Sequence, residues 1–343
     1  MWLTCSSIGR KFVMAITGIC LVLFVTFHVL MNSVALLWPA AYNVICEFLG
    51  ANWYALIASA GLAFLFIIHI IYAVWLTVQN RKARGADRYA VNTRPPQVEW
   101  SSKNMLVLGI VILAFLVVHL IQFWAKMQLQ ELVSHDLTAY PQVGGAAAAP
   151  EFGTLFLQAA FEHWYTPVIY IIGFIALWFH MNHGFWSMFH TIGWDNNIWI
   201  SRLKSISCWW TSIVVLLFTA QAILFTVQAN NKFFLTDEKL QEQYAEYWAE
   251  QAQELIEEYN AEVTALMAEA TDMASQQAAQ QDFFATRGEY FNAKAESIRN
   301  GAAAQAPAVT NADLNNFGKF ADFIKMHAER AAKLSQPTLT NQE

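Results

Sequence analysis

Five long apolar segments constrain this 343-residue chain more than any other feature. They cover approximately residues 11–37, 53–79, 104–129, 165–190 and 206–229. Each is long enough to cross a bilayer as a helix, which takes roughly 20 apolar residues. Backbone groups inside a bilayer must be hydrogen-bonded within the chain, so such segments span it as helices. The sequence therefore predicts an all-α integral membrane bundle of five transmembrane helices.

The distribution of charge divides the chain near residue 230. Residues 1–230 contain 11 Lys/Arg and 8 Asp/Glu, whereas residues 231–343 contain 9 and 18. The first part is apolar and slightly basic, and the second is acidic and typical of a water-soluble region. We predict a five-span membrane domain over 1–230 and a mainly helical soluble C-terminal extension over 231–343.

Basic residues indicate how the five segments are oriented. They lie before the first segment, between the second and third, and between the fourth and fifth: Arg10, Lys11, Arg81, Lys82, Arg84, Arg88, Arg94, Lys103, Arg202 and Lys204. Cytoplasmic loops are enriched in Lys and Arg, so we predict a cytoplasmic N-terminus. Five crossings then place the C-terminal extension in the periplasm, for a protein of a bacterial inner membrane.

The C-terminal extension has its own helical pattern. Thr236, Asp237 and Glu238 predict a helix start, followed by apolar residues at helical spacing over about 40 residues, as one helix or a broken pair. We expect further helices over 280–299 and 311–333, with an Ala/Pro-rich linker over 301–310. Eleven acids against one lysine over 236–272 argue against nucleic acid or anionic lipid as a partner. We expect a solvated polar face, with docking to an unknown periplasmic or membrane partner as the alternative.

Four of the apolar segments carry a histidine deep inside them: His28, His69, His119 and His180. An ionisable side chain at bilayer depth is costly and is by default a site hypothesis. At 1.5 Å per residue, His28 and His119 lie roughly 25 and 23 Å from the cytoplasmic end, and His69 and His180 about 15 Å. Two levels with two histidines each indicate axial ligation of two b haems. The predicted pairs are His28 with His119 (outer) and His69 with His180 (cytoplasmic side).

Other readings of these residues remain open. A single intramembrane histidine often makes an interhelical hydrogen bond, and His183, three residues after His180, is a rival ligand. Two glycines lie near each level, where they could leave room for a macrocycle or simply allow close helix packing: Gly18 and Gly109 (inner), Gly61 and Gly173 (outer). Cationic and hydroxyl groups at the inner ends could bind haem propionates, although membrane orientation alone would explain the basic residues: Ser7, Lys11, Arg84 and Lys103.

The cysteines indicate no further metal chemistry. Cys5, Cys20, Cys46 and Cys208 form no CxxC, CxxCH or metal-ligand spacing, which excludes covalent c-type haem attachment. We expect buried free thiols.

Several short segments resemble the cytochrome b subunit of succinate dehydrogenases and fumarate reductases, in the group with one five-span, di-haem anchor. The resemblance covers about 1–230 and rests on SSIGRKFVMAITG (6–18), FHVLMNS (27–33), AYN (41–43), IHIIYAV (68–74) and FHMNHGFWS (179–187). It implies that His28, His69, His119 and His180 are the haem ligands. Gly184, four residues after His180, selects that residue over His183.

The resemblance also implies partners and a substrate. A flavoprotein subunit would interconvert succinate and fumarate, so no catalytic residue for that reaction lies on this chain, and an iron–sulfur subunit would dock on the cytoplasmic face. The quinone would be menaquinone, reacting near the outer haem. Two features depart from the family: Trp178 stands where some members have a proton-carrying glutamate, and the acidic extension lies outside the family pattern.

Quinone chemistry needs proton donors and acceptors at the outer ends of the bundle. We select Glu47, Asn43 and His163 from the polar residues there, which also include Asn32, Tyr42, Glu162 and Tyr165. An interface carboxylate that simply faces water is the alternative for Glu47, and His163 has a similar alternative.

Two other functions are considered. The anchor could belong to a formate dehydrogenase or hydrogenase, but those cytochromes tend to place two histidines on one helix, whereas the four candidates here lie on separate helices. Helices broken at the membrane midplane would indicate a haem-free transporter or assembly protein. The clear candidate for such a break, Pro167, lies at the start of its segment, where proline is tolerated.

Overall fold

The computed structural model describes residues 6–84, 99–194 and 196–335. Nearly all of the regular structure is helical. The helices of the first half are α1 (Ser7–Leu37), α2 (Pro39–Ala51), α3 (Trp53–Arg84), α4 (Trp100–His119, continued by a π-turn over Leu120–Trp124) and α5 (Gln128–Val133). A short 3₁₀ turn (Leu137–Ala139) and strands β1 (Gln142–Val143) and β2 (Ala146–Ala147) follow. The remaining helices are α6 (Gly153–Phe161), α7 (Tyr165–Thr191), α8 (Trp199–Asn230), α9 (Phe233–Thr236), α10 (Glu238–Ala268), α11 (Met273–Gln305) and α12 (Ala312–Ser335).

The five predicted apolar helices are confirmed. Within the described residues, α1, α3, α4 with its π-turn, α7 and α8 are long and apolar enough to cross a membrane. The largest boundary differences are at α8, which begins at Trp199 rather than near 206, at α3, which ends at Arg84 rather than near 79, and at α4, which was expected to reach 129. Helix α4 ends early because the chain leaves helical geometry at Met127, whose φ and ψ are −106° and −91°.

The chain forms two compact units, and they do not follow a single division at residue 230. One unit contains the residues up to 125 together with 156–231, and the other contains 126–155 together with the residues from 232 onward. The segment that follows the third apolar helix therefore groups with the C-terminal extension. Local composition could not predict this grouping, because the helices that the 126–155 segment contacts lie about a hundred residues further along the chain.

Helices α1 and α7 form the centre of the first unit. Helix α3 packs on α1, α4 packs on α7, and α8 lies against both α1 and α7. Gln221 of α8 donates through Nε2 to the Val29 carbonyl and to Ser33 Oγ of α1, each at 2.9 Å. Ser207 of α8 donates to Asn182 of α7. A bundle of four helices with a fifth alongside is the arrangement that the sequence predicts.

The cysteines are only partly as expected. Cys20, Cys46 and Cys208 form no disulfide, but Cys20 and Cys46 are half-buried and Cys208 is exposed, where buried thiols were expected. Cys208 lies on α8. The apolar length of this segment predicted a span, but it did not predict which face of the helix is buried. Cys5 lies outside the described residues.

The second unit contains three long helices, α10, α11 and α12, around an aromatic core. Its fully buried side chains include Tyr244, Trp248, Phe291, Ile298 and Phe317. Asp237 caps α10 by accepting a hydrogen bond from the Leu240 amide at 3.1 Å, as the sequence predicted. Asp272 and Ser275 form a capping box at the start of α11, a motif that satisfies otherwise unpaired helix-end donors.

A small hairpin from the 126–155 segment completes this second unit. Strands β1 and β2 pair antiparallel, and Gly144 and Gly145 between them have φ of 63° and 87°, the left-handed values that a tight hairpin turn requires. Gln305 Nε2 of α11 donates to the Ala147 carbonyl at 2.6 Å, while its Oε1 accepts from Trp248 Nε1 at 2.9 Å. One buried amide thus joins the hairpin to α10 and α11.

Part of the acidic face of the extension is used to join helices. Glu258 and Glu262 of α10 pair with Lys294 and Arg287 of α11. Helices α11 and α12 are linked by Arg299 with Asp322 and by Lys325 with Glu296. Partly exposed pairs each contribute modestly to stability, so these contacts chiefly fix how the helices are aligned.

The predicted linker over 301–310 is wrong for its first five residues. Helix α11 continues through Gln305, and Gly301 lies buried inside it against the indole of Trp248. The small side chains that suggested a linker instead allow a close helix contact.

We expect Gly301→Ala to destabilise the second unit by about 1–3 kcal/mol, the usual cost of forcing a methyl group into a packed core. A Cβ at this position would overlap the ring of Trp248, which is fully buried. Thermal unfolding of the full-length protein measures the effect. Gly318→Ala on α12 is the matched control, because a Cβ there meets nothing within 4 Å. Equal melting temperatures for the two variants would contradict this packing account.

Glu131 on α5 is a carboxylate held away from water. Its Oε2 is buried with no hydrogen-bond partner among the described residues, and burial raises the pKa of Glu131 to about 7. Because the folded-state pKa is above the unfolded value, the folded state loses stability as pH rises between the two.

We therefore expect Glu131→Gln to raise the melting temperature at about pH 8 and to change it little at about pH 5, where the native carboxyl is protonated. Melting curves at both pH values test this, with Glu250→Gln on the exposed face of α10 as control. The same gain for Glu131→Gln at both pH values would show that its charge is not the cause.

Candidate haem site

The four histidines of the apolar helices meet in two pairs inside the first unit. His28 of α1 faces His119 of α4, with ring centroids 5.8 Å apart and an interplanar angle of 83°. His69 of α3 faces His180 of α7, at 6.2 Å and 62°. These are the pairs that the depths predict, and the role of the four residues as ligands stays a prediction.

The spacing within each pair suits one metal ion between two rings. Trans imidazoles that share a metal through bonds of about 2 Å place their ring centres roughly 6 Å apart. No group of three or more His, Cys, Asp or Glu ligands occurs among the described residues. Each pair offers two ligands, the number that iron needs when a porphyrin supplies the other four. The donor set therefore fits two bis-histidine haems.

Two of the four glycines lie against the inner pair. A Cβ on Gly18 would lie 3.9 Å from Cε1 of His69, and one on Gly109 would lie 3.8 Å from Cε1 of His180. At the outer level, the space beside Gly173 is filled by the ring of Phe115, and Gly61 has nothing within 4 Å. The inner glycines thus lie beside imidazoles, the space at Gly61 is open and the space at Gly173 is filled by Phe115, so room for a macrocycle at these glycines stays a prediction.

Three of the four rings have a polar neighbour at a ring nitrogen. Nδ1 of His69 lies 3.0 Å from Thr17 Oγ1, and Nδ1 of His119 lies 3.1 Å from the Tyr170 hydroxyl. His28 differs, since its Nε2 lies 3.1 Å from Asn32 Nδ2. Ligation through Nε2 of His28 thus requires the Asn32 contact to open. Nδ1 of His180 is buried and has no hydrogen-bond partner among the described residues.

His183, the rival ligand, faces a different group. Its Nδ1 lies 3.1 Å from Glu99 Oε2, and the other oxygen of Glu99 pairs with Lys204 at 2.8 Å. Lys204 also lies 4.3 Å from the ring centre of Trp186. Burial favours a higher pKa for Glu99, but hydrogen bonds from Lys204 and His183 outweigh it and hold that pKa below its ordinary value. This ion cluster explains His183 without a metal.

Trp178 is used in the helix interface. Its Nε1 donates to Ser212 Oγ of α8 at 3.0 Å. Trp178 therefore links α7 to α8 and offers no carboxylate for proton transfer.

The remaining predicted residues fall into two groups. Among the quinone candidates, Asn43 is buried, whereas Glu47 is exposed and His163 stacks on Tyr165 at the surface. Among the propionate candidates, Ser7, Lys11 and Lys103 are exposed, and the Arg84 side chain lies outside the described part of the chain, as do Arg88 and Arg94.

Sequence reasoning missed the residues that contact the rings, although the depth count could have found two of them. Tyr170 precedes His180 by ten residues and Thr17 precedes His28 by eleven, which places them about 15 Å along their helices. Those distances put Tyr170 about 6 Å beyond the predicted outer level and Thr17 about 6 Å short of the inner one, which a side chain can bridge. Glu99 and Lys204 could not be found this way, because their contact depends on how the helix ends meet.

Comparison with protein-family models, with curated proteins and with solved structures gives no match for this chain.

We expect Gly18→Leu and Gly109→Leu each to displace the His69–His180 pair, since the added side chain would enter the space beside the imidazole edges. The b-haem absorbance of the purified protein should fall from two haems per chain toward one. Ala220→Leu is the control, because this exposed residue lies on α8, which carries none of the four histidines. A similar loss in all three variants would mean that only general helix packing is affected.

Proposed function

We propose that this chain is the membrane-anchor subunit of a succinate:quinone oxidoreductase and holds two b haems. The observation that carries the di-haem part is the geometry of the two histidine pairs, with ring centres 5.8 and 6.2 Å apart on four separate helices. A b haem, when bound, accepts and releases one electron at a time. The chain supplies the axial imidazoles and the apolar surroundings.

The choice of succinate dehydrogenase or fumarate reductase rests on the sequence resemblance. The segments that carry it include three of the four histidines: His28, His69 and His180. The proposal places a flavoprotein and an iron–sulfur subunit on the cytoplasmic side, where Lys and Arg residues concentrate. The protein would lie in a bacterial inner membrane. Exposed apolar side chains on the helices, such as Leu23, Phe64 and Leu216, support a lipid-facing surface.

Menaquinone would react near the outer pair, where polar side chains are concentrated. The Tyr42 hydroxyl donates to Asn32 Oδ1 at 3.2 Å, and the Tyr170 hydroxyl donates to Gln122 Oε1 at 2.9 Å. Hydroxyl and amide groups of this kind can exchange protons with, or hydrogen-bond to, a quinone carbonyl. This polar cluster supports the outer level better than the exposed Glu47 and His163 do.

The purified protein should contain two b haems per chain in a pyridine haemochrome spectrum. His→Ala at any of the four ligands should remove mainly one haem, because the remaining imidazole of that pair cannot hold the iron from both sides. His28→Ala and His119→Ala should give one phenotype, and His69→Ala and His180→Ala the other.

His183→Gln is the matched control on the same helix as His180, and it should retain both haems because His183 contacts Glu99. A wild-type protein with no b haem, or with one per chain, would contradict the proposal. Co-purification tests the second part: subunits of another dehydrogenase in place of the flavoprotein and iron–sulfur partners would reassign the anchor.

A further inference from the structure

We propose that Thr17 and Tyr170 are positioning residues, one for each haem, which hold a proton on Nδ1 of His69 and of His119 and so leave Nε2 of each ring free to bind iron. This inference rests on the proposed di-haem function. It assigns a role to two side chains that the depth count did not single out. It also means that only one histidine of each pair has a hydroxyl at its Nδ1.

The evidence at Thr17 is the set of polar atoms around its hydroxyl. Its Oγ1 lies 3.0 Å from the Val13 carbonyl, 3.1 Å from the Met14 carbonyl and 3.0 Å from Nδ1 of His69. A threonine hydroxyl has one hydrogen, which can be donated to only one of these groups. If Nδ1 carries a proton, the ring donates to Oγ1 and the hydroxyl hydrogen remains for a backbone carbonyl. If Nδ1 carries no proton, the hydroxyl hydrogen goes either to Nδ1 or to a backbone carbonyl. The group that does not receive it lacks that hydrogen bond, which is a cost for a buried polar group.

Tyr170 presents the same arrangement at the outer level. Its hydroxyl lies 2.9 Å from Gln122 Oε1 and 3.1 Å from Nδ1 of His119. Gln122 donates through Nε2 to Thr166 Oγ1 at 3.3 Å, which directs its carbonyl oxygen at the tyrosine. The hydroxyl hydrogen is then used toward Gln122, and the oxygen accepts from Nδ1–H of His119. Tyr170 is only 4% exposed, so water does not compete for these contacts.

The other histidine of each pair is held differently. Asn32 accepts from Tyr42 through Oδ1, so its Nδ2 donates to Nε2 of His28. His180 has no hydroxyl at Nδ1 among the described residues, and its ring interacts with the Met105 backbone instead. Each pair therefore contains one ring whose Nδ1 faces a hydroxyl and one ring whose Nδ1 does not. His69 at the inner level and His119 at the outer level are the supported ones.

A hydrogen-bond acceptor at the far nitrogen has a defined effect on a ligand imidazole. It fixes the tautomer and the ring orientation and raises the basicity of the coordinating nitrogen. A more basic ligand stabilises ferric iron more than ferrous iron. Loss of the acceptor should therefore raise the midpoint potential of the haem on that side.

Redox titration of the detergent-purified full-length protein, followed by optical and EPR spectra, tests the inference. Thr17→Val should raise the potential of one haem and Tyr170→Phe that of the other. We expect roughly a tenfold change in the ratio of ferric to ferrous affinity, which corresponds to about 59 mV for a one-electron couple. The His→Ala variants identify which haem belongs to which level. Thr17→Ser keeps the hydroxyl and should restore the wild-type potential.

The controls separate this role from ordinary packing. Thr26 lies on the same helix and donates to the Val22 carbonyl at 2.9 Å, so Thr26→Val removes a comparable hydroxyl, and Tyr72→Phe removes a phenol. Neither control should shift a potential. The inference is overturned if Thr17→Val and Thr17→Ser behave alike, if Thr17→Val and Tyr170→Phe shift the same haem, or if neither shifts a potential. A wild-type protein without b haem overturns the proposed function itself, and this is seen before any variant is made.

Discussion

The contact on which the structure depends is that of two imidazoles facing each other across apolar helices. A buried polar ring is costly unless it has a polar partner, and Thr17, Tyr170 and Asn32 each supply one to His69, His119 and His28. The pairs join α1 to α4 and α3 to α7, so the helices that carry the rings are tied into one bundle. Helix α8 carries none of these histidines and instead packs through Gln221 and Ser207 on α1 and α7.

Much of this arrangement could be predicted because helical rise is constant. Counting residues along four apolar segments gave both the helices and the histidine pairs, since 1.5 Å per residue converts sequence position into depth. The fold of the extension was predictable only in part. Asp237 marks a helix start by local chemistry, but Gly301 looks like a linker residue until Trp248 is packed against it. Composition shows that the side chains around Gly301 are small, but it cannot predict which distant residue packs against them.

The details of the candidate site were less accessible for a related reason. Depth places a residue along a helix, but hydrogen bonds also depend on helix rotation and on side-chain rotamers. The contact of His183 with Glu99 and that of Trp178 with Ser212 follow from such rotations. The quinone candidates show the same limit, because Asn43 and Glu47 are close in sequence yet one is buried and the other exposed.

The grouping of residues 126–155 with the C-terminal helices has a consequence for the order of synthesis. The hairpin at Gln142–Ala147 leaves the ribosome before α7 and α8, yet Gln305, which bonds to it, follows both. The second unit therefore cannot close until the chain has been synthesised through Gln305, so the hairpin lacks this hydrogen bond while α7 and α8 are made.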